Sequence, residues 1–259
     1  MKRVQLKEKV DALIKYLQDE AQDTNFSPNN LNHAFEIYRE LVNVRKPKLL
    51  PKIYLKYQDD FLKAYNKQIT HFKDLTPIQN NHQLYLFKGD ITTLEIDGIV
   101  NAANSDLLGC FIKGHSCIDN LIHTKAGIQL RNECNHIMEK QGRKEAVGRA
   151  KMTDAYNLPS KYVFHTVGPY IKDKNPSNLQ KDLLKRCYLS VLKLADKNHL
   201  NSLAFCSIST GVFGFPKEEA AKIATCTVKE YLEETNSNLN IVFNVFSDED
   251  LKIYKNILT

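Results

Sequence analysis

The sequence predicts a three-layer α/β/α sandwich around a largely parallel or mixed sheet, preceded by a helical extension. Three observations carry this expectation. Before residue 80, apolar residues recur with helical period. Beyond it, short apolar strands alternate with helix-length segments, the pattern of layered α/β domains. All ten glycines and all six cysteines of the 259-residue chain lie after residue 88. We place the composition boundary near Asn80, giving a helical unit over 1–80 and an α/β domain over 81–259.

In the first unit, Val10, Leu13, Ile14 and Leu17 fall at i, i+3, i+4 and i+7 and so line one helix face. Leu31, Phe35, Tyr38, Leu41 and Val42 repeat the pattern, with Ser27-Pro28 read as its start, Ser as cap and Pro in the first turn. A third helix is expected over Lys52–Gln68, after Pro51. The unit carries 14 basic against 10 acidic side chains and few large apolar ones. So small a core is weak alone, and we expect it to pack against the second unit.

In the second unit the order is a strand at Gln83–Lys88, a strand at Gly98–Ala102, and a helix at Asp119–Cys134 with Ile122, Ala126 and Leu130 on one face. Strands at Lys151–Tyr156 and Tyr162–Val167 precede a helix at Leu179–Lys197. A strand at Ser202–Ile208, a helix at Lys217–Thr235, a strand at Asn240–Phe246 and a closing helix at Asp248–Leu258, capped by Ser247, complete it. Ligands of such sheets sit beyond the carboxyl ends of strands. The polar loops after Lys88, Ala102 and Ile208 therefore converge on one expected cleft.

The net charge of +6 is mild and no Lys/Arg block marks a nucleic-acid binder. No apolar run approaches the roughly 20 residues of a membrane span, and the charged first ten residues lack the apolar centre of a signal peptide. The expectation is a cytoplasmic protein with neither nucleic-acid nor membrane partners. In that setting disulfides are the weaker reading of the cysteines. Cys187, Cys206 and Cys226 read as small buried hydrophobes, while Cys134 is one further candidate ligand.

Three loops carry chemistry. Cys110, His115 and Cys117 place two thiols and an imidazole within eight residues, with Asp119 directly after. Three such ligands can hold one zinc ion and leave its fourth position open, the mark of catalytic rather than structural zinc. Asp90, just past a strand end, either accepts from an exocyclic amine of a base or caps a turn. In Ser209-Thr-Gly-Val-Phe-Gly-Phe-Pro216 two glycines bend the chain into a helix start, which suits a phosphate. Phe213 and Phe215 either wall that pocket or join the core.

These residues resemble a macrodomain, the ADP-ribose-binding α/β/α fold. The matching stretches are Gly-Asp-Ile-Thr at 89–92, Asn-Ala-Ala-Asn at 101–104, Ile-Asp-Asn-Leu-Ile-His at 118–123, Ala-Gly at 126–127, His-Thr-Val-Gly-Pro at 165–169 and the 209–216 loop. Most macrodomains carry a glycine run where this chain has Gly-Cys-Phe-Ile-Lys-Gly-His-Ser-Cys. That departure resembles the zinc-containing bacterial class, whose members carry a helical N-terminal extension and remove ADP-ribose from protein side chains. They are linked to macrodomain-associated sirtuins and lipoate-carrier proteins.

The resemblance implies roles for particular residues. Asp90 and Ile91 would bind adenine, with Phe246 stacked on it. Asn104 would orient the distal ribose, Asp119 would be the catalytic acid, and Asn120 would line the site beside it. Ser209, Thr210, Gly211, Val212 and Phe213 would wrap the diphosphate and distal ribose. His123, one turn after Asp119, is read as packing. The implied activity is zinc-dependent release of mono-ADP-ribose from an acidic, ester-linked side chain. A non-catalytic ADP-ribose-binding module and an O-acetyl-ADP-ribose deacetylase are the alternatives.

Overall fold

In the computed structural model, residues 3–22, 28–79 and 81–258 are described, so Asn80 and Ser27 lie outside the described residues. Three helices come first: α1 (Arg3–Ala21), α2 (Leu31–Val44) and α3 (Lys52–Tyr65). The helical-period residues form their shared core. Val10, Leu13, Ile14 and Leu17 of α1 meet Phe35, Tyr38, Leu41 and Val42 of α2 and Phe61 and Leu62 of α3, all buried. Phe35 stacks on Tyr65 at 4.1 Å, and Phe61 meets Tyr38 edge-on at 5.8 Å. Two boundaries differ from expectation. Asn30 caps α2, its Oδ1 accepting from the N–H of His33 at 2.9 Å. The third helix stops at Tyr65: Asn66 caps it with its backbone N–H on the carbonyl of Leu62 (2.8 Å), while its side-chain amide donates to the carbonyls of Lys125 (3.1 Å) and Asn157 (3.2 Å).

The second unit is built on a mixed seven-stranded sheet. Its strands are β2 (Pro77–Ile78), β3 (Asn81–Lys88), β5 (Gly98–Ala103), β6 (Ala150–Asp154), β7 (Tyr162–Val167), β8 (Ser202–Phe205) and β9 (Asn240–Val245), in spatial order β2-β3-β9-β8-β5-β7-β6. The inner pairings are parallel and the outer pairings, β2 with β3 and β6 with β7, antiparallel. A separate ribbon pairs β1 (Thr70–His71) with β4 (Leu94–Glu95). Strands β5, β7, β8 and β9 are buried along nearly their whole length and largely apolar, as strands covered on both faces must be. The flanking helices are α4 (Ile118–Ala126), α5 (Ile128–Gln141), α6 (Asn178–Lys197), α7 (Lys217–Thr235) and α8 (Asp248–Leu258). Helices α6, α7 and α8 pack in series, while α4 contacts both α5 and α2. Cys187 and Cys206 are buried as expected, whereas Cys226 is exposed on α7, its thiol donating to Glu230 Oε1 at 3.1 Å. Among the described residues no helix is long and apolar enough to cross a membrane.

The helix expected over Asp119–Cys134 is two helices, broken at Gly127. Its φ of +101° is open to glycine, and a Cβ there would lie 2.6 Å from Gln58 Nε2. The strand expected to reach Ile208 ends at Phe205, because the chain leaves the sheet there to form the cleft. The strand expected to run to Tyr156 ends at Asp154, before the positive φ of Tyr156.

The two units meet along a polar seam. Ile128 of α5 joins the helical core. Beside it, buried Arg131 donates through Nη1 to the carbonyls of Val42 (2.8 Å), Asn43 (2.9 Å) and Arg45 (2.6 Å). These are orphan acceptors at the negative end of α2, where a cation is favourable. Gln58 accepts from Tyr38 Oη at 3.0 Å and from the N–H of Ile128 at 3.2 Å.

Candidate active site

Loops leaving the carboxyl ends of β3, β5, β7, β8 and β9 surround one cleft of about 760 Å³. Small-molecule sites commonly have this size. Asp90, Ile91, Asn104, Cys110, His115, Cys117, Asp119, Ser209, Thr210, Gly211, Val212, Phe213 and Phe246 all line it. Asn120 does not. It is fully buried, its Oδ1 accepting from Arg39 Nε at 3.1 Å and its Nδ2 donating to the carbonyl of Ile112 at 3.1 Å. Its side chain braces the loop from behind.

At the base of the cleft, Asp119 in the first turn of α4 is only 5% exposed. Asn101 Nδ2 donates to its Oδ1 at 2.8 Å, and Asn104 Nδ2 reaches its Oδ2 at 3.3 Å. Burial raises its pKa to about 6, against the lowering effects of Asn101 and the Arg131 charge. Asn104 also donates to the carbonyl of Gly109 at 3.0 Å and accepts from the N–H of Asp106 at 3.0 Å. It thereby shapes the start of the ligand loop.

Cys110, His115 and Cys117 bring two sulfurs and a nitrogen within 4.8 Å of one another at the cleft wall. Cys110 Sγ lies 3.4 Å from His115 Nδ1. Cys117 caps α4, its sulfur accepting from the N–H of Asn120 at 3.4 Å. Burial raises its thiol pKa to about 12. Two thiols and an imidazole, partly exposed and converging beside a carboxylate, fit a zinc ion with an open coordination position.

A second trio, His123, Cys134 and His165, also falls within 4.8 Å but is fully buried. Cys134 groups with these histidines and not with the loop trio. Burial depresses both imidazoles, His165 to about 3, and raises the Cys134 thiol. The set is neutral: His165 is engaged by Asn101 (3.1 Å) and Thr153 (3.0 Å). Among the described residues neither ring nitrogen of His123 has a hydrogen-bond partner, and its Nε2 lies 3.6 Å from Asp119 Oδ1.

Asp90 does cap a turn: its Oδ1 accepts from Thr92 N at 2.9 Å and Thr92 Oγ1 at 2.6 Å. Its Oδ2 pairs with Lys125 Nζ at 2.7 Å. Burial works to raise its pKa, but Lys125 and Thr92 outweigh it and hold the carboxyl below its usual range. A carboxylate offers about four acceptor sites, so capacity remains on the cleft side.

In the 209–213 loop, the backbone N–H groups of Gly211, Val212 and Phe213 meet no acceptor among the described residues. Ser209 sits at φ +65°, with its Oγ buried and without a partner among the described residues. The chain at Gly168 passes so close that a Cβ would lie 2.0 Å from that Oγ. Free amides on a tight bend suit an anion. Phe215 is core at 2% exposure, whereas Phe213 walls the cleft, edge-on to Tyr170 at 6.0 Å. Phe246 stands 78% exposed at the rim. Four contributors were not singled out from sequence: Arg39, Asn101, Lys125 and Arg131. Only Asn101 had a signal, as the first Asn of the 101–104 stretch.

A mixed sheet of this topology, flanked by helices and with one cleft at its carboxyl edge, defines an α/β/α sandwich domain. Residues 100–224 match the family described as Macro domain. The chain is 52% identical over 252 residues to a "Protein-ADP-ribose hydrolase" of Staphylococcus aureus (strain MRSA252), covering 96% of this chain and 94% of that protein. It is 45% identical over 261 residues to a protein of the same description from Treponema medium, covering 98% and 99%. Among solved structures, a Trypanosoma brucei macrodomain in complex with ADP-ribose aligns with TM-score 0.67 and 29% identity, over 85% of this chain and 95% of that one. An Oceanobacillus iheyensis macrodomain with ADP aligns with TM-score 0.61 and 40% identity, over 68% and 89%. The chain belongs to the macrodomain family.

Proposed function

We propose that this protein is a hydrolase that releases mono-ADP-ribose from modified protein side chains, acidic and ester-linked, with one zinc ion held by Cys110, His115 and Cys117. One observation carries the reading: a buried carboxylate, Asp119, shares a nucleotide-sized cleft with a three-ligand metal trio, where binding alone needs neither. Likeness to the named hydrolases and to structures holding ADP and ADP-ribose supports it. The modified partner in this reading is a carrier protein of the kind a sirtuin modifies.

The chain's own residues divide the work. Asp90 and Ile91 hold the adenine, with Phe246 against its face. The free amides of 211–213 hold the diphosphate. Asn104 uses its remaining acceptor capacity to orient the distal ribose. Asp119 takes a proton from the attacking water or a ribose hydroxyl as the bond to C1 breaks. Zinc in the trio would supply Lewis acidity toward that water or hydroxyl.

The test is single-turnover release of ADP-ribose from an ester-linked modified protein, beside calorimetry with free ADP-ribose and turnover of the free acetyl ester. Asp119→Ala should lower turnover about 10²- to 10⁴-fold, since general acid–base assistance has that size. Its ADP-ribose affinity should change little, because product lacks the scissile bond. Wild-type turnover in both Asp119→Ala and the chelated protein would defeat this reading.

A further inference from the structure

We propose that the N-terminal helical unit is part of the active site, and that Arg39 and Asn43 of α2 are positioning residues that hold the metal-ligand loop in place. This rests on the hydrolase reading only for its consequence on turnover; the contacts stand by themselves.

The loop from Cys110 to Cys117 turns on two backbone bonds of its own, from the N–H of His115 to the carbonyl of Ile112 (3.2 Å) and from that of Cys117 to the carbonyl of His115 (2.9 Å), and contacts from outside add to its hold. Its two large apolar side chains line the cleft and stay partly open, Phe111 39% and Ile112 62% exposed, so apolar burial fixes it only in part. Its backbone is turned by Gly114 at φ +59°. Polar contacts from α2 grip it from behind. Arg39 Nη2 donates to the carbonyl of His115, a ligand residue, at 2.8 Å, while its Nε donates to Asn120 Oδ1 at 3.1 Å. Asn120 passes the contact on to the carbonyl of Ile112. One planar guanidinium thus spans the loop and the first turn of α4, a fork geometry that lysine lacks. Asn43, 1% exposed, accepts from the N–H of Gly114 at 3.1 Å and donates to Thr124 Oγ1 at 3.0 Å. Two successive turns of α2 therefore grip the loop at 114 and 115 and tie both points to α4, which carries Asp119. Arg39 itself lines the cleft, so the helical unit forms part of its wall.

Ligand-orienting groups behind a metal site commonly change metal affinity by about 10- to 100-fold when removed. The experiment uses the full chain with Arg39→Ala, Arg39→Lys and Asn43→Ala. Amide hydrogen exchange is read across 110–117, zinc loss is driven by a chelator, and kcat and KM are measured beside ADP-ribose calorimetry. In Asn43→Ala, exchange at Gly114 should accelerate at least about tenfold. In Arg39→Ala, the loop should exchange faster, zinc should be lost more readily by about 10- to 100-fold, and kcat should fall more than ADP-ribose affinity. Arg39→Lys should lie between, keeping charge but not the fork, and it carries the test should Arg39→Ala fail to fold. Folded variants with wild-type loop exchange and wild-type kcat overturn the inference. A wild type that neither binds zinc nor releases ADP-ribose defeats the hydrolase reading instead, and loop exchange still decides this one.

Discussion

Arg131→Met tests how the two units are joined. The native side chain is 5% exposed, and burial lowers its pKa to about 10. Lost hydration is the main cost of the charge, the Arg45 charge adds to it, and the Asp119 charge offsets part of it. Among the described residues its Nε finds no partner, which is part of that cost. Against it stand the Nη1 contacts to the carbonyls of Val42, Asn43 and Arg45. One nitrogen carries two protons, so three acceptors count as about two charge-assisted bonds, each worth roughly 1.5–3 kcal/mol. The guanidinium also lies 4.4 Å from the ring centre of Phe111, a contact worth about 0.5–2 kcal/mol. Methionine keeps the stem but leaves the carbonyls at the end of α2 without their donor. An unpaired buried acceptor costs roughly 1–3 kcal/mol; taking about 2 kcal/mol, Arg131→Met should melt about 4–8 °C lower. The assay is thermal denaturation, with amide exchange read at the end of α2. A midpoint within about 1 °C of wild type would show that water replaces the guanidinium at no cost, and the seam would then not be what fastens the helical unit.

Three further outcomes are expected. Metal analysis of Cys110→Ala and of Cys117→Ala should show zinc lost with the fold largely kept; full retention in either would remove that residue from the ligand set. Asp90→Ala should weaken ADP-ribose binding roughly 10- to 150-fold by calorimetry, the worth of one hydrogen bond to a charged group, whereas unchanged affinity would leave Asp90 as a cap and Lys125 partner only. Stability should also fall with acid through His165. Its folded pKa is about 3 against 6.5 unfolded, so the unfolded chain binds more protons between these values. Its contribution is complete above pH 6.5 and is lost as the pH falls toward 3. At pH 5 the loss is about 2 kcal/mol, with His123 acting in the same direction. Urea midpoints that do not drop between pH 7 and 5, or a His165→Asn profile as steep as wild type, would contradict this.

Where the sequence carried period or spacing, the fold was legible. Tyr162–Val167, Lys217–Thr235 and Asp248–Leu258 occur with the expected bounds because strong patterns meet clear stops. The errors fall where a local choice depends on distant atoms. Gly127 reads as one glycine in a long helix, yet Gln58 of the helical unit crowds it and the chain breaks there. Asn66 caps its helix early, while its side-chain amide donates to carbonyls about 60 and 90 residues away. The two-residue strands carry no period at all.

The cleft was legible for a related reason. Its residues sit on loops directly after strands, and a parallel sheet delivers all such loops to one edge. Asp90, Asn104, Asp119 and the 209–213 loop therefore share a cleft without any of them signalling its neighbours. Asn120 shows the limit. Adjacent residues on a helix point about 100° apart, so if Asp119 faces the cleft its neighbour faces elsewhere. What it faces, Arg39, lies 81 residues earlier in a segment of ordinary amphipathic pattern. An arginine on a helix reads as a solvated charge, and only the docked fold turns it toward a loop carbonyl. The helical unit's part in the site was for that reason invisible in sequence, although every residue that makes it was in view.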